Sequence, residues 1–160
     1  MQSTKYAIFK QGNVECGLNV MEVQAIEKVG SMKEITDTAE NIKGIINLRN
    51  MDIPVYSLRG KFGLADKEPD ENTRLLIVSS NGILMAYEVD EMMNIVELET
   101  DQLYEPPTLV KNKNTSYLDK VAYFDGKIVF IMNPDGILTD EEQKNIKVLV
   151  SEVEVAGKED

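Results

Sequence analysis

Ile42-Lys43-Gly44-Ile45-Ile46-Asn47-Leu48-Arg49-Asn50-Met51-Asp52-Ile53-Pro54-Val55-Tyr56-Ser57 is an apolar run, a tight turn and a second apolar run that ends on a small polar residue. Leu118-Asp119-Lys120-Val121-Ala122-Tyr123-Phe124-Asp125-Gly126-Lys127-Ile128-Val129-Phe130-Ile131-Met132-Asn133 repeats that order. Few residues are identical between the two, so the match lies in the sequence of runs and turns. It predicts two similar β-rich units in one chain. Built this way and lacking an evident catalytic group, the chain reads as a scaffold that holds other proteins.

Outward from these hairpins the strand signals continue. Lys5-Tyr6-Ala7-Ile8-Phe9 is strand-like, Gln11-Gly12-Asn13 is a turn, and Val14, Cys16 and Leu18 alternate with Glu15 and Gly17 as in a half-buried strand. Val20–Val29 reads as a short helical turn leading into another strand, and Ser31–Asn41 as a polar loop with a helical turn. Thr73–Ser79 and Ile83–Val89 flank Asn81-Gly82, a strong hairpin signal because both turn positions need positive φ. Asp125-Gly126 repeats the device. Short strands with little helix between them favour small barrels or a sandwich over a doubly wound sheet. The acidic, proline-containing stretch near 64–72 is the expected connector between the units, and Glu105–Ser116 a long surface loop. Thr139 and Glu142 have capping-box spacing, with Asp140 and Glu141 at the positive end of a helix dipole. Ile146, Leu149, Val150 and Val153 then fall on one helical face. A single domain over 1–155 is expected, with a disordered tail over 156–160.

The composition excludes several classes of function. Of 160 residues, 42% are hydrophobic, enough for an interior, while 17 basic residues face 28 acidic ones for a net charge of −11. Such a field repels phosphate backbones and anionic lipid heads, so no nucleic-acid partner is expected. The apolar runs Leu75–Val78 and Ile128–Met132 are too short to cross a bilayer, and the N-terminus carries no signal-peptide core. The single cysteine, Cys16, cannot form an intramolecular disulfide, which fits a reducing cytoplasm, and on the apolar side of its strand it reads as a core residue. Asn114-Thr115-Ser116 is read as a coincidental glycosylation sequon.

With no histidine, the chain cannot build a His-based triad, a Cys–His nucleophile or the usual zinc and non-haem iron sites. Phosphate-binding loops and the nucleophile elbow are missing too. Glu97, Glu99 and Asp101 alternate, so a strand would set them on one face, either as a cation site or as a solvated edge that discourages sheet pairing. The edge is preferred, because nothing resembles a calcium loop. No catalytic residue, cofactor or metal is expected. Arg49, beside a tight turn, offers a guanidinium either to a partner's carboxylate or to an internal salt bridge. Arg59 and Lys61, next to Phe62 and Gly63, form a rare basic spot, for a partner or for local charge balance. Met85, Met92 and Met93 are adaptable surface or, more simply, core.

Several blocks resemble the CheW family of bacterial chemotaxis coupling proteins over essentially the whole chain. They are Cys16-Gly17-Leu18, Glu22-Val23-Gln24-Ala25-Ile26, Ile42 to Asn50 in the pattern I-K-G-V-x-N-L-R-G, Ile53 to Arg59 in the pattern P-V-x-D-L-R, Lys61-Phe62-Gly63-Leu64, and Tyr87-Glu88-Val89-Asp90-Glu91-Met92. Their order and spacing together are specific. The chain departs from the family at Asn50 and Lys120, where glycines are usual, at Ser57 and Asn133, where turn aspartates are usual, and at Ala25, where many members carry an acid. Thr36-Asp37-Thr38-Ala39-Glu40 also replaces the usual proline-containing stretch.

The resemblance implies a mainly β fold of two SH3-like five-stranded barrels sharing a hydrophobic interface, plus a C-terminal α-helix. It implies a non-catalytic adaptor that bridges the cytoplasmic tips of methyl-accepting chemotaxis receptors to the regulatory domain of the histidine kinase CheA. Val23, Ile26 and Arg49 match receptor-binding positions in the groove between the barrels. Lys43, Gly44, Arg59 and Phe62 match kinase-facing surface in the first barrel. The protein is expected in the cytoplasm, uninserted in membrane and monomeric alone. The rival readings are an adaptor of the same fold in another sensory array and a small-ligand sensor.

Overall fold

The computed structural model describes residues 3–34, 41–107 and 116–158, with side chains described up to residue 152 except that of Glu34. Residues 35–40 of the loop with a helical turn expected over Ser31–Asn41, most of the 105–116 loop, Asn114 and Thr115 of the sequon, and the Val153 side chain lie outside the described residues. The first half of the chain holds β1 (Ser3–Gln11), β2 (Val14–Asn19), β3 (Val23–Lys28), β4 (Lys33–Glu34), β5 (Ile42–Leu48), β6 (Met51–Ser57) and the one-turn helix α1 (Leu58–Lys61). The second half holds β7 (Arg74–Ser80), β8 (Ile83–Val89), β9 (Glu91–Glu99), β10 (Leu103–Tyr104), β11 (Leu118–Phe124), β12 (Lys127–Met132) and α2 (Asp140–Lys158).

These strands form two sheets of matching topology. The first barrel, which holds the N-terminal strand, has the order β9-β1-β2-β12-β11-β10. The second has the order β3-β7-β8-β6-β5-β4 and carries Lys43, Gly44 and Arg59, which the resemblance assigns to a first barrel. Each consists of five long strands and a two-residue sixth, which agrees with the expected pair of five-stranded barrels. The edge strands of each sheet are consecutive in the chain, so the chain wraps round and closes each sheet toward a barrel. The hairpins that echo each other in sequence, β5–β6 and β11–β12, occupy equivalent places. The likeness extends to their ends. Ser57 N–H donates to the Asn41 carbonyl at 2.8 Å, and Asn133 N–H to the Tyr117 carbonyl at 2.7 Å. Ser57 caps α1 and Asn133 caps the 3₁₀ turn Pro134–Gly136, each with its side-chain oxygen. The two departures from aspartate therefore keep the capping function.

The barrels do not divide the chain at the expected connector. Residues 64–72 join α1 to β7, but β6 and β7 belong to the same sheet. The chain crosses between sheets at Asn19–Glu22 and again at Asp90. Each repeat thus gives its leading hairpin, β1–β2 or β7–β8, to the barrel built mainly by the other, through parallel pairs β12–β2 and β6–β8. A connector between repeats is legible in composition; an exchange of hairpins is not.

Burial explains the unbroken apolar runs. Leu75 and Ile77 point into the second barrel with Ile46, Ile53, Val55 and Ala86. Leu76 and Val78, on the opposite face, join Phe9, Cys16, Leu18, Tyr56, Tyr87 and Met132 in a core shared by both sheets. Tyr6, Ile8, Leu98, Ala122, Val129 and Ile131 fill the first barrel. A strand buried on both faces has no polar side, hence Leu75-Leu76-Ile77-Val78. Met85 is core, Met92 packs against it and Met93 is exposed. The helix α2 buries Ile146 in the shared core and runs to Lys158, so the tail assigned to disorder from Ala156 begins inside it.

Candidate partner-docking site

Strand direction sorts the candidate residues. β7 ends and β8 begins at the Asn81-Gly82 turn, and β6, parallel to β8, begins at the same end of the sheet. The Arg49-Asn50 turn therefore emerges there, and so does the start of β3, where Val23 pairs with Val78. Lys43, at the start of β5, and α1, following β6, lie at the opposite end. Seven residues of strand separate these ends, roughly 20 Å at about 3.3 Å per residue.

At the first end, a β-bulge between Val23 and Ala25 turns successive side chains. Val23 packs on the shared core and Ala25 on the second barrel, while Ile26, outward and 47% exposed, lies further along β3, level with Leu76, Tyr87 and Tyr56 and so toward the opposite end. Arg49 has φ of 51° and Asn50 of 66°, both in the left-handed region. Asn50 takes this conformation as the sequence suggested; Arg49 does so too, which its residue type gave no reason to expect. Arg49 is exposed and has no hydrogen bond or ion pair to any described residue. The internal salt bridge weighed from sequence does not form among the described residues.

At the second end the charges are already engaged. Lys43 Nζ donates to Glu88 Oε1 at 2.9 Å and lies 3.5 Å from Asp66. Burial pulls the Lys43 pKa down, but the hydrogen bond and charge of Glu88, with Asp66, outweigh it and leave it raised. The Arg59 guanidinium pairs with Asp90, and its Nε donates to the Ala65 carbonyl at 2.7 Å. Lys61 lies 3.6 Å from Glu142. The basic spot around Arg59 and Lys61 thus makes internal ion pairs.

Gly44 is buried, and a Cβ there would stand 2.5 Å from the Lys33 carbonyl and 2.8 Å from Met32. It admits β4 against β5, the strand that also carries Lys43. The equivalent Lys120 instead extends its amine to Glu105, just past β10. Phe62 stacks on Tyr117 at 5.3 Å between ring centroids. With Val14, Cys16, Leu64 and Phe130 they line an apolar cavity of about 210 Å³ at the seam of the sheets. Burial, then the nearby Glu15 charge, pushes the Cys16 thiol up to about 12, so at neutral pH it is a protonated core residue.

Among the described residues no cluster of His, Cys, Asp or Glu is arranged to hold a metal ion. Glu97 and Glu99 lie on β9, an edge strand, where Glu97 accepts from Ser3 at 2.5 Å. Both are exposed there, and Asp101 follows in the 3₁₀ turn Thr100–Gln102. No helix among the described residues is long and apolar enough to cross a membrane.

Residues 5–142 match the family model of the CheW-like domain. The chain is 27% identical over 138 residues to the chemotaxis protein CheW of Klebsiella aerogenes, covering 86% of this chain and 83% of that one. It is 23% identical over 141 residues to CheW of Bacillus subtilis, covering 88% and 90% of the two chains. The crystal structure of the scaffolding protein TtCheW from Thermoanaerobacter tengcongensis superposes with a TM-score of 0.80 at 26% identity, over 88% of this chain and 96% of that one.

Proposed function

Since the chain belongs to the CheW-like domain family, we propose that it is a non-catalytic cytoplasmic adaptor that couples chemotaxis receptor tips to the regulatory domain of the histidine kinase CheA. Val23 and Arg49 at one end of the sheet, with Ile26 further along β3, bind the receptor. Phe62 and the surface around Lys43 and Arg59 face the kinase, with Gly44 supporting that surface from beneath. What carries this reading is the separation of Val23 and Arg49 from Lys43 and Arg59, at opposite ends of one sheet above a continuous apolar core. A rigid body with two faces transmits a movement at one to the other as a coupling free energy, typically about 1–3 kcal/mol. Individual contacts can be weak, because an array raises effective concentration.

The experiment uses an immobilised receptor cytoplasmic fragment and, separately, the kinase regulatory domain. The native chain is retained by both. Arg49→Ala is retained by the kinase domain and lost from the receptor fragment, with its melting temperature no lower than that of the parent. Equal retention of the variant on the receptor removes Arg49 from the interface, and failure of the native chain on both overturns the adaptor reading.

A further inference from the structure

The second crossing between sheets, at Asp90, is also a polar junction. Asp90 Oδ2 accepts from the N–H of Gly12 at 2.8 Å, in the β1–β2 turn of one barrel. The same oxygen accepts from the Arg59 guanidinium, on α1 at the end of β6 in the other barrel. Asp90 N–H is shared between the Lys10 carbonyl at 3.1 Å and Gln11 Oε1 at 3.2 Å. Arg59 is held from behind, because its Nε donates to the Ala65 carbonyl and its own carbonyl accepts from Leu64 N–H at 2.8 Å. Arg59 and Asp90 side chains are 17% and 16% exposed, so added salt screens the pair only weakly.

The shared apolar core and this junction supply different things. Apolar burial is non-directional and leaves two curved faces free to rock. Hydrogen bonds weaken steeply away from a preferred angle, so the junction fixes orientation. Gln11 is 1% exposed and its Nε2 has no partner among the described residues. A buried unpaired donor is unfavourable, so a junction that leaves one is poorly suited to adding net stability. We infer that Asp90 is a positioning residue which, through Gly12 and Arg59, sets the angle between the barrels, while the shared core supplies adhesion. This gives the Arg59 guanidinium a role inside the frame.

Spin labels at Lys28→Cys on β3 and Asp119→Cys on β11, in a Cys16→Ala background, report the distance between the barrels by pulsed electron resonance. The parent is expected to give a single narrow distance peak. Asp90→Ala removes both acceptor contacts and is expected to lose that single peak, with the circular dichroism spectrum unchanged. Asp90→Asn keeps an acceptor for Gly12 N–H and is expected to give an intermediate width, and Arg59→Gln to broaden the peak with Asp90 intact. An unchanged single peak in folded Asp90→Ala overturns the inference. If Asp90→Ala does not fold, an unchanged peak in Arg59→Gln does so.

Discussion

Arg49 carries an unfavourable backbone conformation without a hydrogen bond or ion pair among the described residues to offset it. The left-handed region is unfavourable for a non-glycine residue by about 1–2 kcal/mol. Glycine avoids that term but loses about 0.5–1 kcal/mol to its freedom in the unfolded chain. Arg49→Gly is therefore expected to stabilise the fold by about 0.5–1 kcal/mol, raising the melting temperature by about 1–4 °C in a chain of this length. Receptor retention is expected to fall at the same time. A lower melting temperature by calorimetry would mean that the guanidinium is holding the fold, and strained geometry could no longer be tied to binding. At this scale the sequence is legible where chemistry is local. Asn50, Asn81 and Asp125 take positive φ because their residue types announce it. The partners of Lys43 and Arg59 are not legible, because Glu88 and Asp90 come from β8 and the residue after it, brought close only by folding.

At the scale of elements, α2 shows how a local signal acquires a long-range partner. Thr139 N–H donates to Glu142 Oε1 at 3.0 Å, and Glu142 N–H donates to Thr139 Oγ1 at 3.1 Å, the capping box expected from spacing. The helical turn followed by a strand after Val20 is likewise found, as a 3₁₀ turn at Val20–Glu22 and β3. What spacing does not reveal is that Glu142 also accepts from the Tyr56 hydroxyl at 2.6 Å, beneath the helix. Burial, then that hydrogen bond, pushes the Tyr56 pKa up, so the phenol remains a donor at physiological pH. Hydrogen bonds to charged groups contribute about 1.5–3 kcal/mol, so Tyr56→Phe is expected to destabilise by about that much in denaturant unfolding. Glu142→Ala removes the capping carboxylate and the Lys61 contact as well and is expected to destabilise more than Tyr56→Phe. Because both changes break one network, the double variant should fall short of the sum. Additive effects would place the Tyr56 hydroxyl and the helix cap in separate networks.

For the whole molecule, the exchange of hairpins makes each barrel the joint property of both repeats. The second barrel's interior takes Ile46, Ile53 and Val55 from the first half of the chain and Leu75, Ile77 and Ala86 from the second. Neither half can close a barrel, and each alone exposes that apolar surface to water. The connector, in contrast, is exposed from Ala65 to Asn72 and sends no residue into the buried core. Its contribution is to keep the halves at an effective concentration in the millimolar range, as short flexible linkers do. Cleavage at a protease site introduced between Lys67 and Glu68 should leave one particle of native size and unchanged circular dichroism at micromolar concentration. Its melting temperature should now fall on dilution, because folding has become bimolecular. Separated in denaturant, each fragment should lack a cooperative transition, and mixing them should restore one. Had the repeats folded as independent barrels, as a connector between two units first suggests, each fragment would melt cooperatively alone and the cleaved particle would be insensitive to dilution. The same entanglement bears on coupling, since any displacement of β3 moves a sheet whose β7–β8 hairpin continues into the other barrel. A shift at one end then reaches the other through covalent strands as well as through packed side chains.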